Sequence, residues 1–346
     1  MSNLDFELRN INKGDFFKLK APFEKIKFIL RYGILAPSTH NSQPWLFKIE
    51  NDSCKIFYDS EKYTIKEADP IKRDLYISFG CLLENIIVAA SYFKVFRNLN
   101  YILKDNLVAE VTFGDLERKD IQISKELADI LDAVPKRVNV RGIFEQKPVE
   151  SEIIKKIQSL DNKFPELRLD LVHDKEKINK LATLTAEGLR IAYQSSNFRK
   201  EMSSWMNSSF SKKREGIPGY SLRMPALISL IFPTLVRFFN IGKAVGALNY
   251  KSISSAPLVL IISSKENSPL SWLEVGRLFE RITLELNSKE LKTSIFVASI
   301  EIGDLYKQVQ KVINSGLVAQ LLFCVGYMNF EQRPNLRHPV EAKLIP

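Results

Sequence analysis

Two stretches of the sequence collect side chains suited to holding a ligand. Residues 36–45 read A-P-S-T-H-N-S-Q-P-W, with the hydroxyls of Ser38 and Thr39 and the amides of Asn41 and Gln43 between two prolines. Such groups supply donors and acceptors without charge, as the edge of a heteroaromatic ring or a polyol chain requires. The same residues equally suit a helix stop followed by side-chain-capped turns. The second stretch is Arg137-x-Asn139-x-Arg141. Alternate residues of an extended segment point the same way, so two guanidiniums and an amide would share one side. That is either a phosphate clamp built on bidentate, charge-assisted bonds or a pair of exposed arginines. A third basic candidate, Arg337, lies in the stiff segment Arg333-Pro334-Asn335-Leu336-Arg337-His338-Pro339.

Several other chemistries lack their residues. No G-x-G-x-x-G follows a strand, and neither G-x-x-x-x-G-K-[ST] nor a G-x-S-x-G elbow is present. His40, His173 and His338 are far apart, and C-x-x-C and H-E-x-x-H are missing, so no metal site is expected. The three cysteines, Cys54, Cys81 and Cys324, follow no spacing pattern, as in a reducing, cytoplasmic compartment.

The chain has 346 residues, 45% hydrophobic and 26% charged, enough for a large core or two ordinary domains. Lys and Arg exceed Asp and Glu by 50 to 40, a net charge of +10. The basic residues are scattered apart from Arg199-Lys200 and Lys212-Lys213-Arg214. This reads as a solvated surface without a nucleic-acid module, although two or three placed arginines would suffice for a phosphate-bearing small ligand. Asp5 and Glu7 precede any apolar run, unlike a signal peptide. The most apolar stretch, 225–248, is interrupted by Pro233, Arg237, Asn240 and Lys243. It therefore falls short of the roughly 18 apolar residues of a spanning helix, and no membrane partner is expected.

The elements that would position the candidate residues show a repeat. Phe79-Gly80-Cys81-Leu82-Leu83-Glu84-Asn85-Ile86 parallels Val275-Gly276-Arg277-Leu278-Phe279-Glu280-Arg281-Ile282, and each continues with helical periodicity. The glycines would permit close approach of another helix or backbone. Ser42–Phe47 pairs with Ser255–Leu260 as a strand entered through proline, and Val108–Gly114 with Val318–Gly326 as a strand closed by glycine. Three matches in one order suggest two copies of one α+β unit divided near residues 130–136. The second copy carries an extra segment, about 207–249, which reads as a lid or binding loop, a covering helical hairpin, or a basic amphipathic segment resting on a membrane.

The P-S-x-x-N-x-Q-P-W run, the repeated unit, R-x-N-x-R opening the second copy and the closing R-H-P resemble the nitroreductase superfamily of flavin proteins. The closer resemblance is to its tandem, pseudo-dimeric Acg-like FMN-binding branch, and it extends roughly from Phe23 to Ile345. It implies a three-layer α/β/α fold duplicated in one chain, with halves 1–132 and 133–346 and a helical, lid-like insertion in the second. It also implies FMN bound between the halves. Ser38, Thr39 and Asn41 would meet its ribityl chain and ring edge, with Gln43 helping or bracing the loop. Arg137, Asn139 and Arg141 would come from the other half. Arg337 would meet the phosphate, with Arg333 as a helper. Ser299-Ile300-Glu301 resembles a P-I-E segment, with serine in place of proline, and implies a backbone N–H at Glu301 facing flavin N5. The implied activity is an NAD(P)H-linked, ping-pong, two-electron reduction of a nitroaromatic, quinone or related acceptor, with no side-chain acid or base. The alternative is a catalytically silent FMN-storage protein closed by its lid. A second clamp is missing from Lys20–Phe23 and Asn249–Ser254, so one FMN per chain is expected, in a monomer or weak homodimer.

Overall fold

The computed structural model describes residues 8–116 and 123–346; Asp5 and Glu7, on which the signal-peptide reading depends, lie outside the described residues. The first part of the chain runs α1 (Pro22–Gly33), β1 (Trp45–Glu50), β2 (Ser53–Tyr58), α2 (Arg73–Tyr92), β3 (Phe96–Lys104), β4 (Leu107–Phe113) and α3 (Lys125–Ala133). Its strands form an antiparallel sheet in the order β1-β2-β4-β3. There follow α4 (Ser151–Gln158), β5 (Leu167–Val172), α5 (Lys175–Ala192), α6 (Ser196–Trp205), the paired dipeptides β6 (Met206–Asn207) and β7 (Ile217–Pro218), α7 (Ile228–Phe238) and α8 (Gly242–Ser255). The chain ends with β8 (Leu258–Ser264), α9 (Pro269–Asn287), β9 (Lys292–Ile295), α10 (Ala298–Glu301), α11 (Leu305–Ile313) and β10 (Val318–Gly326). Its second antiparallel sheet has the order β5-β8-β10-β9.

The two sheets share one strand order, and α2 and α9 each leave the second strand of their own sheet. This corrects one detail of the repeat. Ser255–Leu260 opens β8, the counterpart of β2, whereas Ser42–Phe47 opens β1, the counterpart of β5. The match had followed a shared proline rather than position in the sheet. Where β1 and β2 are joined by a tight turn, β5 and β8 are separated by residues 173–257, which include the stretch read as an insertion.

Burial explains the layers. Along β8, Leu258, Leu260 and Ile262 join the core shared with α2 and α9, while Val259 and Ile261 join Ile178 and Leu181 of α5 on the opposite face. Helices thus cover both faces of the second sheet. At the centre α2 crosses α9, where Gly80 and Gly276 meet backbone to backbone. A Cβ on Gly80 would lie 2.1 Å from the Leu273 carbonyl oxygen, and one on Gly276 would lie 2.0 Å from that of Ile77. Among the described residues α2 is the one helix long and apolar enough to cross a bilayer, and it is buried here.

At the edges, one contact ties the two parts together and another extends the second sheet. The C-terminal segment returns to β1, where Ile345 donates its N–H to the Phe47 carbonyl at 2.8 Å. Asn139 forms an isolated bridge with Thr293 at the edge of β9, so the R-V-N-V-R segment is extended without being a full strand.

Candidate functional site

The loop between α1 and β1 holds its shape through its own polar groups. Ser38 accepts the Asn41 N–H at its carbonyl (2.9 Å) and the Gln43 N–H at Oγ (3.0 Å). His40, Asn41 and Gln43 all have left-handed backbones (φ 51°, 58° and 49°), which only a tightly determined loop sustains in non-glycine residues. The Thr39 N–H reaches Ser78 Oγ on α2 at 3.3 Å. Gln43, fully buried, is a brace. Its amide donates to the Asn41 (3.3 Å) and Arg214 (2.6 Å) carbonyls, and its Oε1 accepts the His338 N–H at 2.8 Å.

Arg337 converges on this loop. Its guanidinium donates to Asn41 Oδ1 and, at 3.1 Å, to the Ala36 carbonyl, while its Nε is buried without a hydrogen-bond partner. Arg137 approaches from the other side. It donates to the Leu35 carbonyl at 3.1 Å, and its Nε lies 3.0 Å from Glu280 Oε1 on α9. Arg9 completes the group, donating to the carbonyls of Pro135 (2.7 Å) and Arg137 (3.2 Å). Three guanidiniums therefore share one buried carboxylate. Burial, followed by Arg9 and Arg137, pushes Arg337 well below its ordinary value. Burial and Arg137 bring Arg9 down to about 9. Burial lifts Glu280 to about 7 against the pull of Arg137. Excess buried positive charge of this kind suits a phosphate, since each guanidinium makes charge-assisted bonds to its oxygens.

Val138 and Val140 pack into the second core, and the R-x-N-x-R side chains beside them take separate protein partners. Asn139 Oδ1 accepts the Ile295 N–H at 3.1 Å, and Arg141 donates to the Ile295 carbonyl at 3.3 Å, both at the end of β9. Only Arg137 joins the cationic cluster. Arg141 sits near His40 and Tyr193, with burial lowering its pKa.

The expectations for Glu301 and for Asn249–Ser254 are corrected. The Glu301 N–H does not stand open, because it and the Ile300 N–H both bond to the Val297 carbonyl, at 3.0 and 2.8 Å, closing the short helix α10. The Glu301 carboxylate instead meets Arg73 at 2.9 Å, and burial together with Asp74 raises its pKa well above the usual carboxylate range. Arg333 stacks its guanidinium 4.1 Å from the ring centroid of Tyr220, a tyrosine that also acts electrostatically on Arg9 and Arg337. Asn249–Ser254, where a second clamp would need a polar loop, is helical and belongs to the end of α8.

The structure adds residues that the sequence did not single out. Arg9 belongs to no motif. Glu280 was visible only as a repeated letter four residues after Gly276. The segment after α6 clasps the loop: the Arg214 carbonyl accepts from both Asn41 (2.8 Å) and Gln43, and Glu215 Oε1 lies 2.9 Å from His338 Nε2. The Glu201 carboxylate of α6 accepts the N–H groups of Lys66, Glu67 and Ala68 at 2.6, 2.9 and 2.9 Å.

No protein-family model matches the chain. Over 309 residues, 87% of this chain and 88% of its relative, it is 24% identical to the "putative NAD(P)H nitroreductase acg" of Mycobacterium tuberculosis H37Rv. A 66-residue stretch, 19% of each chain, is 32% identical to the "putative NAD(P)H nitroreductase Rv3131" of the same strain. Among solved structures, a crystal structure of oxidized iodotyrosine deiodinase bound to FMN and 3-iodo-L-tyrosine aligns with 60% of this chain and 95% of its own, at 16% identity and TM-score 0.39. The FMN and NADPH-dependent nitroreductase NfnB of Sphigopyxis sp. strain HMH aligns with 62% and 96%, at 15% identity and TM-score 0.41. Along most of its length, then, the chain is similar to nitroreductases of the acg type.

Proposed function

We propose that the chain is an FMN-dependent oxidoreductase that draws on NAD(P)H to reduce a nitroaromatic, quinone or related small acceptor by two electrons, in ping-pong order. The similarity to acg supports the class of reaction. The single observation that carries the cofactor is the arginine cluster. The unpartnered Nε of Arg337, and three guanidiniums against the one carboxylate of Glu280, are the surroundings a phosphate monoester would complete. Arg337 and Arg137 would hold the phosphate, with Asn41 fixing Arg337. Ser38 and Thr39 would offer hydroxyls to the ribityl chain and ring edge, and Arg141 with Asn139 would lie on the pyrimidine side. FMN, when bound, supplies the hydride-accepting and hydride-donating chemistry, and the protein supplies position and charge. On this reading the halves 1–132 and 133–346 play the roles of two subunits, so a monomer suffices. The three free, buried cysteines are consistent with a cytoplasmic setting.

A second reading has its own observation. The hydrogen bonds of Arg214 to Asn41 and Gln43, with the Glu215–His338 pair, close the inserted segment over the loop, as a flavin-storage protein without turnover would require. Anaerobic mixing of the yellow, purified protein with NADPH separates the two. Bleaching within seconds is expected of the reductase. Lasting colour rejects it and leaves storage, and a colourless protein that takes up no FMN rejects both.

A further inference from the structure

The inserted helix α7 turns only Ser229 and Val236 fully inward. Leu227, Leu230, Ile231 and Phe238 are 75%, 54%, 58% and 66% exposed, and Phe239 and, on α8, Leu248 extend the same apolar surface. Scattered exposed leucines are ordinary, but so many neighbours along one short helix mark an interaction surface. It is separate from the clasp, which uses Arg214 and Glu215.

Length and shape narrow what can cover it. The 11 residues of α7 rise about 16 Å, half of the roughly 30 Å hydrocarbon core of a bilayer. α7 and α8 also meet at 118°, so the pair forms an elbow that can lie along an interface and does not span. Charge then selects the occupant. No Asp or Glu occurs between Glu215 and Glu266, whereas Arg237 on α7 and Lys243 and Lys251 on α8 are all exposed. A second copy of the same face would set these cations against one another. A layer of anionic headgroups neutralises them while the acyl boundary takes up the Leu, Ile and Phe side chains.

We propose that the α7–α8 elbow docks on an anionic lipid bilayer surface, with Leu230, Ile231 and Phe238 entering the acyl boundary and Arg237 and Lys243 meeting headgroup phosphates. This revises the expectation, drawn from the interrupted apolar run, of no membrane partner. That pattern excludes a spanning helix but not an interfacial one. The proposal does not depend on the flavin reading, and its test uses no redox signal.

The test is co-sedimentation of the full chain with phosphatidylcholine vesicles and with vesicles partly substituted by phosphatidylglycerol. The expected result is recovery with the anionic vesicles and release as added salt screens the charges. The double variant Leu230→Glu/Phe238→Glu should lose at least about tenfold in vesicle affinity with an unchanged melting curve. Should that variant unfold, Arg237→Glu/Lys243→Glu, at exposed positions, is expected to abolish the preference for anionic vesicles by itself. Wild type that stays in the supernatant with both vesicles overturns the proposal, as does sedimentation unaffected by either variant. A concentration-dependent dimer seen by light scattering and abolished by the glutamate substitutions assigns the face to a second copy and also overturns it.

Discussion

His40 sits between the two residues that anchor the candidate loop, with a left-handed backbone and its Nε2 buried without a partner. Burial pushes its pKa down from 6.5 to about 4, with Glu201 and Asp74 pulling the other way. A histidine depressed in this way is neutral when folded, and between those two values the unfolded chain binds more protons than the folded one. Its contribution is therefore fully present above pH 6.5 and is lost as the pH falls toward 4. Between pH 7.5 and 5 that loss is about 2 kcal/mol. His40→Asn tolerates the left-handed backbone and removes the titration. The stability difference between wild type and His40→Asn, from urea unfolding at both pH values, should move by that amount against the wild type at pH 5. Parallel pH dependence in the two proteins would remove His40 from any role in holding the loop.

At the scale of elements, the crossing of α2 and α9 decides whether the parts of the chain can meet. A methyl group at Gly276 or Gly80 meets carbonyl oxygen atoms at 2.0 and 2.1 Å, and no flexible side chain can yield there. Gly276→Ala and Gly80→Ala should each cost at least about 3 kcal/mol in chemical denaturation. Gly316→Ala, with nothing within 4 Å of the added atom, should stay near neutral. Equal effects at all three positions would mean that the helices do not pack at these glycines. That something packs closely at these glycines was legible in the sequence, because Gly80 and Gly276 recur with the same apolar period and close contact needs a residue without Cβ; that the two helices pack on each other was not. The pairing of strands was legible only for β4 and β10. Ser42–Phe47 and Ser255–Leu260 share a proline entry, which reports local backbone, while their places in the sheets depend on partners far along the chain. The open N–H expected at Glu301 failed for a related reason, since its engagement depends on where the Val297 carbonyl turns.

Across the whole molecule, one repeated carboxylate has two different fates. Glu280 and Glu84 each stand four residues after a crossing glycine. Glu280 faces Arg137, beside Arg9 and Arg337, and positive charge is left over. Glu84 is met by Arg277 at 3.2 Å and Arg281 at 3.6 Å, both from α9, and Arg277 also donates to the Tyr101 hydroxyl at 2.9 Å. The loop before β5, counterpart of the loop before β1, places Phe164 against Arg277, with the guanidinium 5.4 Å from the ring centroid. That second position is filled by protein groups and carries no arginine from the opening of the first half, where Lys20–Phe23 stand. The asymmetry was half legible: the missing clamp could be read from Lys20–Phe23, but the neutralisation of Glu84 needed the helix crossing that brings Arg277 and Arg281 to it. Titration of the flavin-free chain with FMN, followed by fluorescence quenching against protein concentration from amino-acid analysis, should therefore saturate at one equivalent per chain. Arg337→Ala should abolish that one equivalent, because a buried phosphate without its guanidinium leaves charge unpaired. Saturation at two equivalents, with one surviving in Arg337→Ala, would show that the Glu84 side also holds a flavin and that its arginines are ligands.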